Sequence, residues 1–89
     1  MNYTEYVCEI HPFVRDQICY ARCANGEYEF AGTVPIEDLC SYILTNCYNN
    51  HIRRVHLVGP ESYVKKYCED IKYEESCRYG FCNLEIEVN

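Results

Sequence analysis

The sequence predicts an α/β (α+β) fold in the order β-β-β-α-β-α-β, a mixed sheet packed against two helices. Three observations carry this. Asn25-Gly26, a dipeptide that favours a tight hairpin turn, sits between two strand-like runs. Two later stretches place apolar residues at 3.6-residue spacing, and Cys82 to Val88 alternates between apolar and polar.

Tyr3 to Ile10 reads as the first strand, with Tyr6, Cys8 and Ile10 on one side and Glu5 and Glu9 on the other. His11-Pro12 ends it, because proline restricts its predecessor and cannot donate to a ladder. Phe13 to Asp16 connects to the second strand. With a two-residue turn at Asn25-Gly26, Ala21 faces Phe30, Arg22 faces Glu29 and Cys23 faces Tyr28. Cys19, Ala21, Cys23, Tyr28 and Phe30 then share the inner side, and Arg22 pairs with Glu29 on the outer one.

Pro35 suits a first helical turn, with Glu37 and Asp38 beside the positive end of the dipole. Ile36, Leu39, Cys40, Ile43, Leu44 and Cys47 make one stripe, and Asn49-Asn50 is a stop. Ile52 to Val58 is a β-rich run suited to a strand inside the sheet. A second helix, from near Pro60, turns Val64, Tyr67, Cys68 and Ile71 inward and Lys65, Lys66, Glu69 and Asp70 outward. Tyr73 to Arg78 reads equally as helix or loop, and Gly80 offers a left-handed exit. The last strand places Cys82, Leu84, Ile86 and Val88 inside and Asn83, Glu85, Glu87 and Asn89 outside. Crossovers between the later strands are expected to be right-handed.

Eighty-nine residues predict one domain, 1–89, around one core. An apolar content of 48% excludes disorder, and no apolar run approaches the roughly 20 residues of a membrane span. Met1 to Tyr6 lacks the basic and apolar parts of a secretory signal, which predicts a cytoplasmic location where structural disulfides are rare. Cys8, Cys19, Cys23, Cys40, Cys47, Cys68 and Cys82 fall on inward positions, so reduced, buried thiols are expected rather than a disulfide scaffold. Cys19 and Cys23 stand roughly 13 Å apart on one strand, too far to share a metal. Cys77 and Cys82, completed by His11 or His51, leave structural zinc as a further reading. No spacing ties a histidine to a thiol for catalysis. His56, in a central strand, reads as a satisfied polar group.

Fourteen acidic residues against eight basic ones give a net charge of −6, which disfavours direct nucleic-acid and membrane contact and suits a basic protein surface. Arg53-Arg54 and Lys65-Lys66 are short basic pairs on solvated faces. Ten tyrosines supply amphipathic contact area. Glu27, Glu29, Glu85 and Glu87, in company with Glu5 and Glu9, are the expected partner-binding residues. No catalytic residue, metal ligand or cofactor is assigned, and homodimerisation across the edge of the last strand stays open.

The element order, with the junction Val55-His56-Leu57-Val58-Gly59-Pro60, resembles the ribonuclease-H-like fold and its actin-like ATPase relatives. That resemblance implies metal-holding carboxylates on the first strand, the first helix and the end of the fourth strand. Here the fourth strand ends in Val58-Gly59 without an acid, and Glu5 and Glu9 lie on the outer side, so none is carried over and a scaffold without the chemistry is implied. In size and composition the chain is similar to phage and mobile-element inhibitors, anti-CRISPR proteins among them. The expected function is a non-enzymatic, cytosolic protein-binding module, an inhibitor docking on a basic, nucleic-acid-binding protein. The alternative is a diverged nuclease or nucleotide-binding domain working at Gly59-Pro60, although one glycine lacks the phosphate fingerprint.

Overall fold

A computed structural model describes residues 2–89. Five strands, β1 (Tyr3–Glu9), β2 (Asp16–Cys23), β3 (Tyr28–Pro35), β4 (Arg54–Val58) and β5 (Glu85–Val88), combine with helices α1 (Leu39–Asn49) and α2 (Glu61–Tyr79). A 3-10 turn at Ile36–Asp38 leads into α1. The sheet order is β3-β2-β1-β4-β5. β2 is antiparallel to both β1 and β3, while β4 is parallel to β1 and to β5, giving the expected mixed sheet.

Alternation along the strands decides which face is covered. Tyr6, Cys8, Ile10, Cys19, Ala21, Val55 and Leu57 point to one side and form a single core with Leu39, Ile43, Leu44 and Cys47 of α1 and Val64 and Ile71 of α2. Both helices therefore pack on the same face. Each fully buried Leu or Ile contributes about 1.5–3 kcal/mol, so this layer dominates the stability. Among the described residues, no helix is long and apolar enough to cross a membrane.

The hairpin differs from expectation. Cys23 N–H donates to Glu27 O at 2.7 Å and Gly26 N–H to Cys23 O at 2.9 Å, so Ala24, Asn25 and Gly26 all belong to the turn. Gly26 takes φ 90°, which completes a type I turn with a glycine bulge. The Asn25 side chain holds this wider form by accepting from Glu27 N–H at 3.0 Å. One extra residue slips the register by one, pairing Tyr20 with Phe30, Ala21 with Glu29 and Arg22 with Tyr28. Tyr28 and Phe30 thus turn outward, 57% and 65% exposed, and the expected Arg22–Glu29 pair is not formed. Glu29 instead accepts the Tyr3 hydroxyl at 2.9 Å. A second irregularity, between Cys19 and Tyr20, restores the inner alternation, so that buried Gln17 meets buried Val34.

The second helix continues through Tyr73 to Arg78 because Ile71 and Glu75 extend its buried stripe, and it stops at Gly80 with φ 78°. Cys77 therefore lies within the helix and is exposed. Cys82 is exposed too, ahead of β5 rather than inside it, and its thiol donates to Lys72 O at 3.4 Å.

Candidate functional site

The face opposite the helices is assembled from rows that cross all five strands. The register aligns Phe30, Tyr20, Val7, His56 and Glu87 in one row. The next row holds Tyr28, Arg22 and Glu5, then Arg54 and Glu85. The β2–β3 side of this face is aromatic, with Phe30 edge-on to Tyr20 and the Arg22 guanidinium over the Tyr28 ring. Toward β4 and β5 it becomes charged.

The charged end carries a distinct cluster. Glu5 from β1, His56 from β4 and Glu87 from β5 bring one ligand atom each to within 4.8 Å of one another. His56 Nε2 is buried and has no hydrogen-bond partner among the described residues, so the expectation of a satisfied central histidine fails. Sheet geometry explains this. A strand residue projects perpendicular to the sheet, and the neighbours of His56 on this face are a valine and two carboxylates that stop short of it. A depression of about 490 Å³ lies over the cluster, edged by Arg22, Arg54, Ala24 and Gly26.

The four glutamates expected at a partner surface fall at the two ends of the sheet. Glu85 and Glu87 lie on edge strand β5, Glu29 on edge strand β3, and Glu27 in the turn leading into it. With three strands between, the two sets stand roughly 19 Å apart at the usual strand spacing. Glu85 approaches Arg54 at 3.9 Å. Glu87 alone joins the cluster. Glu5 and His56 were individually visible in the sequence, but nothing there gave the β1-β4-β5 adjacency that brings them together.

The other sequence candidates take structural roles. Gly59 approaches β1 so closely that a Cβ there would sit 2.7 Å from Ile10 O, and Pro60 opens α2 behind it. Cys77 and Cys82 meet no third metal-ligating side chain among the described residues. The buried thiols are paired or packed: Cys8 donates to Cys19 Sγ at 2.8 Å, and burial raises Cys8 well above the usual thiol range. No known protein family matches this chain, and no curated protein or solved structure matches it either.

Proposed function

We propose that this chain is a non-enzymatic, cytosolic protein-binding module whose outer sheet face docks on a basic protein surface. The observation that carries the reading is the composition of that uncovered face. Ile18, Tyr28 and Phe30 are exposed at one side, and Glu5, Glu9, Glu85 and Glu87 stand on the other, a pairing of aromatic anchors with carboxylates that suits a cationic partner. The net charge of −6 supports long-range attraction to such a surface. Small size and acidity support a role as a phage or mobile-element inhibitor of a nucleic-acid-binding protein, in the manner of anti-CRISPR proteins.

The strand order, with β2 alone reversed, supports the ribonuclease-H-like likeness as a matter of topology. A nuclease is less well supported, because α1 contains no carboxylate to complete a metal-ion set of that kind.

The test is capture of a basic protein from the native cell extract, identified by mass and then reconstituted with purified components. Glu85→Lys/Glu87→Lys and Tyr28→Ala/Phe30→Ala should each weaken the reconstituted complex at least tenfold, and raised salt should weaken the wild-type complex. Glu61→Lys/Glu69→Lys, on the outer side of α2, should leave it unchanged. A complex indifferent to both outer-face variants would reject the reading.

A further inference from the structure

We infer that Glu5, His56 and Glu87 form a binding site for one divalent transition-metal ion of the manganese, cobalt and zinc class. Three separate strands deliver the donors to one point on the outer face, with all ligand atoms within 4.8 Å of one another. A four-coordinate ion with bonds of about 2.1 Å holds its ligands about 3.4 Å apart. The remaining gap lies within the side-chain torsions of two glutamates, one half-buried and one exposed, and needs no movement of the sheet.

The state of each donor is the second observation. His56 Nε2 is buried without a partner. Among the described residues, neither Glu5 nor Glu87 makes an ion pair, although Arg54 is close enough to Glu85 to form one. Three strong donors thus converge with no side-chain partner among the described residues, and a buried nitrogen left unpaired is unfavourable unless something occupies it. A cation resolves both the orphaned imidazole and the proximity of two carboxylates. One imidazole nitrogen with two carboxylate oxygens, and no thiolate, favours manganese, cobalt or zinc over calcium or magnesium, which prefer all-oxygen sets, and over copper(I). The open coordination positions face the depression, where Arg22 and Arg54 favour water or an anionic group as the next ligand.

The site is independent of the docking reading, although the two share Glu5 and Glu87. Purified full-length chain is titrated with Mn²⁺ and free ion is followed by its electron paramagnetic resonance signal. The expected result is one saturable site per chain, at least tenfold weaker in Glu5→Gln and in Glu87→Gln. The exposed-thiol variant Cys77→Ser/Cys82→Ser should bind as the wild type does, and Mn²⁺ should broaden the His56 ring resonances first. Absence of saturable binding for Mn²⁺, Co²⁺ and Zn²⁺ alike would overturn the site, as would binding that survives both glutamine variants or disappears with the two thiols. Since no partner is present, failure here leaves the docking reading standing, and failure of docking leaves the metal site standing.

Discussion

Tyr48 donates its hydroxyl to Glu75 Oε2 at 2.5 Å, joining α1 to α2 at the point where the chain enters β5. Glu75 is fully buried, and the same oxygen accepts from Asn83 N–H at 3.0 Å and Leu84 N–H at 3.2 Å. The Tyr48 ring stacks on Tyr79, with centroids 3.8 Å apart, which holds the donor in place. A buried carboxylate with three donors is satisfied. It fixes the line along which β5 runs, and so the position of Glu87 relative to His56.

Removing that acceptor leaves two buried amides and a hydroxyl without a partner, each unsatisfied group costing about 1–3 kcal/mol. Glu75→Ala is therefore expected to lose about 3 kcal/mol or more in urea unfolding. Glu75→Gln, which keeps one acceptor oxygen, should lose about half as much. Amide exchange at Asn83 and Leu84 should accelerate in both. A Glu75→Ala midpoint close to that of the wild type would show that the carboxylate does not organise this corner.

The eight thiols should divide by burial. Cys77 and Cys82 are exposed, whereas Cys8, Cys19, Cys23 and Cys47 are buried. Burial, reinforced by Asp70 and Glu74, pushes half-buried Cys40 up to about 12, which keeps it an unreactive thiol. An aromatic disulfide reagent near neutral pH should modify two thiols quickly in the native protein and all eight after denaturation without reductant. Fewer than eight in the denatured chain would establish disulfides and contradict the packing described above.

The helical stripes and strand alternations were legible because burial imposes one period on each element, and Leu39 to Cys47 and Val64 to Ile71 turn inward as their spacing requires. Three things were hidden. The turn at Asn25-Gly26 admits both a two-residue and a three-residue form, and the Asn25 side-chain bond to Glu27 selects the longer one, reversing the faces of Tyr28 and Phe30. A charged residue on a helix is ordinarily read as outward, so the inward Glu75, and with it the extension of α2, depended on backbone amides eight and nine positions away. The Glu5–His56–Glu87 cluster was hidden for a third reason, because strand adjacency is long-range and alternation assigns a face without assigning a neighbour.

Gly59 separates a packing role from a ligand-binding one. A Cβ there would lie 2.7 Å from Ile10 O and 3.2 Å from Ile10 Cβ, with φ at 155°. Backbone cannot yield at the centre of the sheet, where Ile10 N–H donates to Val58 O at 2.7 Å. Gly59→Ala should cost about 2–4 kcal/mol. Gly26→Ala meets only the end of the Arg22 side chain, at 3.8 Å, and should cost about 1 kcal/mol for its positive φ. Equal losses in thermal unfolding would mean that backbone conformation, not the approach to β1, explains the glycine.

Alkaline pH should unfold the chain through its buried thiols. Burial, with a smaller contribution from the Glu75 carboxylate, pushes the Cys47 thiol up to about 12. A raised folded-state value means that the contribution is complete below the unfolded thiol value and is lost as pH climbs toward the folded one. Across that window the unfolded chain has released a proton that the folded chain keeps, so stability falls with pH at up to about 1.4 kcal/mol per unit for this thiol. Cys8 and Cys40, shifted in the same direction, steepen the decline, and Cys19, held below the usual thiol range by the hydrogen bond from Cys8, opposes it. Urea unfolding at about pH 8, 9.5 and 10.5 should show falling midpoints. Cys47→Ala should be less stable at the lowest pH, because it leaves a small cavity, yet its stability should fall less steeply by one proton. A wild-type midpoint that stays level across this range would show that these thiols are already hydrated in the folded protein.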